Sequence, residues 1–296
     1  MTFLMPEDTT ILLCRRRRTE YLMTWRFLDY SQYTAYENMA IDEAIFRETI
    51  NSNKKPTIRF YGWHPAAVSI GYFQDPKKEL NLEQCGNMGI DIVRRLTGGK
   101  AVFHNDEITY SVVAGAGEKY FPADILGTYK VVSDCLIHGL SYLGIKANLA
   151  KGCRGMEDSD LKSCCFSVPS RNELLVDGRK ICGSAQMRTK GGFLQHGSLL
   201  LNFDPVKALS VILSLSVSDQ LAKLRNSVTA INEVITNPIE TSDICDALKK
   251  GFADVLGTEI VEEPLTPGEN RLKNDLIKKY KNLNWNIDRT KHLKTG

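Results

Sequence analysis

The dipeptide Asp177-Gly178 stands between two short runs, 173–176 and 180–185, that carry strand-forming residues. A two-residue Asp-Gly loop is the strongest short-range signal of a β-hairpin, because both residues tolerate the positive φ that so tight a turn demands. The chain must therefore hold an antiparallel strand pair, and a third strand is expected close behind it at 193–201. Upstream, alternation and β-branched residues predict strands at 25–29, 57–62, 67–72, 92–95, 100–103 and 109–113. A helix is expected over 34–48, with Met39, Ile41, Ala44 and Ile45 on or near one face. A second starts near Pro122, carries Ile125, Tyr129, Val132, Leu136, Leu140 and Leu143 as its apolar stripe, and stops at Gly144. After Phe203-Asp204-Pro205 the pattern turns helical, near 205–213, 242–255 and 268–281. This order predicts an α+β fold, with a mixed or antiparallel sheet in a body at 23–204 and a small helical part at 205–296.

Residues 1–22 do not resemble the rest. Their apolar run at 10–14 precedes the Arg15-Arg16-Arg17-Arg18 cluster, the reverse of a secretory signal. They are expected to be a disordered or non-native N-terminal extension, with Met23 as an alternative start. Elsewhere the apolar stretches are interrupted, as by Ser210 and Ser214 or by Gln195 and His196. None approaches the roughly 20 residues that span a bilayer. A cytoplasmic protein is expected, with its eight cysteines reduced. The net charge of +3 gives no ground for nucleic acid. The charge is uneven, however. From Arg271 onward Arg271, Lys273, Lys278, Lys279, Lys281, Arg289, Lys291 and Lys294 face only Asp275 and Asp288. Such a segment is either a solvated helix face and tail or a landing site for an acidic protein.

Two stretches could carry chemistry. In Arg94-Arg95-Leu96-Thr97-Gly98-Gly99-Lys100, paired glycines between two strands permit a sharp turn and close approach of a ligand to the backbone. The arginines could pair with phosphate or carboxylate, or simply be solvated. In Ser163-Cys164-Cys165-Phe166, a thiol precedes Lys180 by fifteen residues, and the hairpin can fold that lysine back toward it. A cation beside a thiol favours thiolate, the nucleophilic form. The residues alone leave open whether Cys165 is a nucleophile or a buried small hydrophobe. Gly183-Ser184-Ala185 beside Lys180 leaves room for a ligand. His104 and His196 flank glycine-containing strands and are alternative general bases. The spacing of Cys153, Cys164, Cys165 and Cys182 fits no usual zinc knuckle, so no metal is expected.

Taken together, several ordered motifs resemble the lipoate/biotin protein ligase family of cofactor transferases. They are Trp25-Arg26-Phe27-Leu28-Asp29, Asn38-Met39-Ala40-Ile41-Asp42-Glu43-Ala44, Ile58-Arg59-Phe60-Tyr61-Gly62-Trp63, Ser69-Ile70-Gly71-Tyr72-Phe73-Gln74 and the Arg94 to His104 block. Cys165 to Ser170, Gly178 to Gln186 and Leu194-Gln195-His196-Gly197-Ser198 resemble its octanoyltransferase branch in bacilli and related bacteria. The resemblance implies an α+β cofactor-transferase domain over 23–204 that moves octanoyl from acyl carrier protein to a lysine of a lipoyl-accepting protein. In that branch the acceptor is typically the H protein of glycine cleavage. It implies Cys165 as thioester carrier and Lys180 as the group that lowers its pKa. Arg95, Gly98, Gly99, His104, Gly183 and Ser184 are then expected at the substrate. No ATP, metal or other cofactor, no membrane and a monomer are expected. Cys164, adjacent to Cys165, departs from the branch's single cysteine; Phe166, Pro169 and Ser170 select Cys165. Three alternatives stay open: an ATP-dependent lipoate–protein ligase, an amidotransferase between lipoyl domains, and a silent module that binds acyl carrier or lipoyl domains. Asp106-Glu107, where ligases tend to carry Gly-Asn, favours the transferase.

Overall fold

The structure, a computed structural model, describes residues 24–52, 54–150, 173–213 and 217–288. Strand β1 (Trp25–Tyr33) leads into helix α1 (Ala35–Ser52), then β2 (Thr57–Trp63) and β3 (Ala67–Ile70). Short helices α2 (Pro76–Glu79) and α3 (Leu82–Asn87) precede β4 (Asp91–Arg94), β5 (Val102–His104) and β6 (Glu107–Gly115). Helix α4 (Ile125–Tyr142) and β7 (Asn148–Leu149) follow, then β8 (Leu174–Val176), β9 (Arg179–Thr189) and β10 (Gly192–Leu200). The remainder is α5 (Pro205–Val211), α6 (Val217–Ser227), α7 (Ile231–Val234), α8 (Thr241–Leu256), β11 (Ile260–Glu262), α9 (Pro267–Lys281) and α10 (Leu283–Asn286).

The hairpin expected from Asp177-Gly178 is present, with φ of 49° and 79° at its two residues. It joins β8 to β9 within an eight-stranded mixed sheet of order β11-β1-β2-β6-β10-β9-β8-β7. Pairing is parallel at β11–β1 and β1–β2 and antiparallel from β2 onward. A second sheet, β4-β3-β5, is small. The α+β expectation holds.

Side-chain alternation gives the large sheet two different faces. Ile58, Phe60, Ile108, Tyr110 and Val112 join Val132, Leu136 and Leu140 of α4 and Ile244, Leu248 and Phe252 of α8 in the main core. On the other face Val113 and Leu194 pack with Ile41, Ile45 and Phe46 of α1. That face also carries buried Arg59, Thr109, Ser111, His196 and Ser198, so it is unusually polar for a covered sheet. Every one of these groups needs a partner, since an unpaired buried polar group costs about 1–3 kcal/mol.

Several expectations are corrected locally. Helix α4 begins at Ile125, past Pro122, with Asp124 as its cap accepting from the Gly127 N–H, and Ile125 is 50% exposed rather than part of the stripe. Strand β3 ends at Ile70 because the next residues turn against the 98–99 loop. The chain after residue 205 is not purely helical: β11 joins the main sheet beside β1. Residues 1–22 lie outside the described residues. No helix among the described residues is long and apolar enough to cross a membrane.

The C-terminal segment is tied back by buried ion pairs. Arg26 of β1 donates to both carboxylate oxygens of Glu269 at 2.7 and 2.5 Å, and Glu269 also accepts from the Thr266 N–H at 2.7 Å in a capping box. Lys279 and Tyr280 both donate to the buried Glu43 of α1. Lys279 is therefore anchored, whereas Lys278 and Lys281 remain exposed.

Burial pushes the Glu269 carboxyl up, but the bonds from Arg26 and Thr266 outweigh it and leave it below its ordinary 4.5. A carboxyl depressed in the folded state stabilises above its unfolded value, and that stability is lost as pH falls through the folded value. Glu269→Ala should cost about 3–5 kcal/mol at neutral pH by stranding Arg26. Its difference from wild type in urea midpoint should shrink as pH drops below 4.5. A pH-independent difference would refute the linkage.

Candidate active site

Two adjacent arginines hold two loops together. Arg94 extends its guanidinium to the carbonyls of Gly71, Tyr72 and Gln74 and to those of Trp285 and Asn286, at 2.7 to 3.2 Å. Arg95 turns the other way and donates to the Ser69 carbonyl and hydroxyl and to the carbonyls of Gly98 and Lys100. A planar fork with five N–H groups suits this task, and an ammonium could not reach as many acceptors. Burial lowers Arg95 to about 10, which still leaves it charged at neutral pH.

The glycines make the packing possible. Gly99 has φ of 91°, and a Cβ on Gly71 would lie 1.9 Å from its carbonyl oxygen. A Cβ on Gly99 would lie 3.8 Å from that of Ala185 on β9. The Gly98-Gly99 turn thus rests over β9, two residues from Gly183, or about 7 Å along the strand. At Gly183 the missing Cβ is replaced by the Lys180 side chain, whose Cε and Nζ would stand 2.7 and 2.8 Å from it. The Lys180 ammonium pairs with Glu173 at 2.6 Å. Gly98, Gly99, Ala185, Gly183 and Lys180 therefore form one track of small residues along β9 that ends in a cation. Ser184 points to the opposite face, where its hydroxyl meets the Tyr110 hydroxyl at 2.6 Å and Gln195 donates to Tyr110 at 3.0 Å.

Arg95 and His104, expected at the substrate, lie behind the loop with their polar atoms engaged by protein. His104 donates from Nδ1 to the Glu107 carboxylate at 2.8 Å, and its Nε2 stands 2.6 Å from the Ser69 hydroxyl. The ring stacks on Trp63 at 3.9 Å. Glu107 also accepts from Thr109 and Ser198. Burial raises its carboxyl, and His104, Ser198 and Thr109 pull it below the ordinary value. The connectivity is that of a serine–histidine–acid relay. Ser69, however, is fully buried and its hydroxyl oxygen accepts a hydrogen bond from Arg95, so the relay braces the loop rather than attacking a substrate. His196 faces Thr97 at 2.7 Å, and its Nδ1 lies 3.5 Å from Asp42, too far for a good hydrogen bond. Burial lowers its pKa despite the opposing pull of Asp42. Asp42 itself is held down by Arg59 and His196 against the upward push of burial.

Cys165, Cys164 and Cys153 lie outside the described residues. Cys182, by contrast, is sealed in the main core, and burial pushes its thiol up to about 12. Glu173 escaped sequence reasoning, although its position seven residues before Lys180, across the Asp177-Gly178 turn, was a usable signal. Among the described residues no group of His, Cys, Asp or Glu could hold a metal ion.

The family of the lipoyl protein ligase A/B catalytic domain matches residues 34–253. The octanoyltransferase LipM of Brevibacillus brevis is 39% identical over 273 residues, covering 90% of this chain and 99% of that protein. Its counterpart in Bacillus subtilis is 38% identical over 274 residues, with the same coverage. A bi-partite lipoate protein ligase from Thermoplasma acidophilum, solved with its E2 lipoyl domain, aligns with a TM-score of 0.76 at 25% identity, over 90% of this chain and 96% of that one. A lipoate-protein ligase A bound with ATP aligns with a TM-score of 0.75 at 27% identity, over 89% and 98%.

If Arg95 is the anchor of the glycine turn, Arg95→Met should free it while keeping an apolar stem. Losing the two bonds to the Gly98 and Lys100 carbonyls, near 1 kcal/mol each, should speed amide hydrogen exchange over 98–101 about thirtyfold. Unchanged exchange there would mean that another contact holds the turn.

Proposed function

The chain belongs to the lipoyl protein ligase A/B catalytic domain family and is an octanoyltransferase of lipoate assembly, and from that premise we propose that it works through a thioester on Cys165. Octanoyl-acyl carrier protein is the donor, and a lysine of the glycine cleavage H protein is the acceptor. The observation that carries the proposal is the Lys180 ammonium laid over Gly183 at the end of the glycine track. The described residues that flank the stretch containing Cys165 meet beside it: the Ala150 N–H donates to the carbonyl of Glu173, this lysine's partner, at 2.9 Å. Eight residues separate Cys165 from Glu173, a reach of up to about 27 Å, so the chain permits the approach.

The chemistry then runs in two steps. A Cys165 thiolate, stabilised by the nearby positive charge, attacks the donor thioester, and the carrier thiol leaves. The acceptor lysine next attacks the enzyme thioester; its C–S bond breaks, an amide forms, and the thiolate returns. An amide is more stable than a thioester, so no ATP is needed. About six CH2 groups of the octanoyl chain, at roughly 0.8 kcal/mol each, give near 5 kcal/mol of selection for its length. Gly98, Gly99 and Gly183 flank the path of the chain, with Arg95 and His104 holding the loop above it and Ser184 bracing β9 from the opposite face. The reading places a monomeric enzyme in the cytosol.

The likeness to a ligase that binds ATP makes adenylate chemistry the competing reading. Against it stands Glu107, built into the brace where ligases tend to carry Asn. Intact-mass measurement with octanoyl-acyl carrier protein and no ATP separates the two. A single octanoyl adduct is expected in wild type and Cys164→Ser but not in Cys165→Ser, and H protein should discharge it. Modification of H protein only when ATP, magnesium and a free acid are supplied would establish the ligase.

The exposed basic face at the end of α9 fits an acidic carrier. Lys278→Glu with Lys281→Glu should slow transfer several-fold at low salt and much less at high salt, given a screening length near 8 Å at about 0.15 M. Lys279 is left intact because it holds Glu43. Equal rates for variant and wild type at low salt would remove carrier docking from this face.

A further inference from the structure

An enzyme that acylates lysines and keeps a lysine of its own beside the acyl group faces a specific hazard. A free Lys180 amine could attack a thioester brought to it. Its nitrogen would bond to the carbonyl carbon, the C–S bond would break, the thiolate would leave and the ammonium proton would pass to water. The product is an amide on the enzyme, which no further exchange with thiols would reverse. The fold contains a device suited to prevent this.

Glu173 and Lys180 sit on the two sides of the hairpin, with side chains 14% and 26% exposed, and their charged atoms lie 2.6 Å apart. Neither backbone is free to drift. The Glu173 carbonyl accepts from Ala150, and the Lys180 carbonyl accepts from the Thr229 N–H at 2.8 Å. A bulge in the β8–β9 pairing falls between Leu174 and Leu175, so that Leu175 pairs with Lys180 and Leu174 with Cys182. Gly183 completes the arrangement, because any Cβ there would displace the lysine stem from its course toward Glu173.

We propose that Glu173 is a positioning residue that holds the Lys180 amine as an ion pair, so that its charge serves the thioester chemistry while its nitrogen is withheld as an acyl acceptor. An ammonium has no lone pair to attack with, and Lys180 must leave a close, partly buried carboxylate before it can react. The inference rests on the reading that an octanoyl thioester is handled beside Lys180, whether it is carried on the enzyme or on the donor.

The test has two arms. In the first, wild type, Glu173→Gln and Glu173→Asp are loaded with octanoyl-acyl carrier protein, treated with hydroxylamine and mapped by peptide mass spectrometry. Hydroxylamine-stable octanoylation of Lys180 should rise about tenfold in Glu173→Gln, as loss of one charge-assisted bond implies, and return toward wild type in Glu173→Asp. In the second arm, trace acetic anhydride labels the lysines of the folded proteins, and Lys180 is compared with exposed lysines such as Lys278. This arm needs no thioester. The ratio should rise to a similar degree in Glu173→Gln and in Gly183→Ala, which reaches the same pair from the other side. Lys180 labelling at the wild-type ratio in both variants would overturn the proposal. Failure of wild type to form a labile adduct on Cys165 would instead count against the acyl-enzyme reading, and the anhydride ratio would still decide the role of Glu173.

Discussion

A polar sheet face has been buried in this protein, and the rest of the site follows from how that burial is made tolerable. Arg59, Thr109, Ser111, His196 and Ser198 would each weaken the fold if left unpaired. They are instead distributed between two acids. Asp42 collects Arg59, Tyr61 and Ser111, with His196 close by, and Glu107 collects His104, Thr109 and Ser198. Through His104 and Ser69 the second set reaches Arg95, and through Arg95 it reaches the carbonyls of the glycine turn. Rigidity at the turn is thus derived from a carboxylate on a central strand, several side chains away. Such a network is strong only when complete, because a member left without its partners keeps the full cost of its desolvation.

How much of this was legible in the sequence depended on whether the cause was local. The Asp177-Gly178 turn needs only its own two residues to adopt positive φ, and it was readable with its strands. Helix α4 was readable from its period, but its first turn was not: Ile125 keeps the spacing of the stripe yet projects past the end of the core. Strand β11 was invisible because three residues carry no pattern, and only pairing with β1 makes them a strand. Helix α7, four residues long, was missed for the same reason.

The same distinction applies to the site. Gly98, Gly99, Gly183 and Lys180 stand together because they occupy one strand, β9, and a turn that rests on it, a placement that motif order already suggested. The outward-looking roles expected of Arg95 and His104 were not settled by residue type, since a guanidinium serves a carbonyl as readily as a carboxylate. Only the position of Ser69 decides that both point inward. Glu173 is the opposite case, an ordinary acid at a strand edge that acquires meaning from what lies across the hairpin.

The parallel pairing of β1 with β11 has a consequence for how the molecule is made. Arg26 and Glu269 are separated by 243 positions, and β1 meets its outer neighbour only at Ile260 to Glu262. On a ribosome that adds roughly 5–20 residues per second, β1 must wait on the order of ten seconds or more for that partner. Throughout that interval it presents an open row of backbone donors and acceptors, with a buried-type arginine beside it. Nascent chains of this protein should therefore depend on chaperone protection of their first strand long after the catalytic half has emerged, so that expression yield is governed by an edge that the finished enzyme no longer shows.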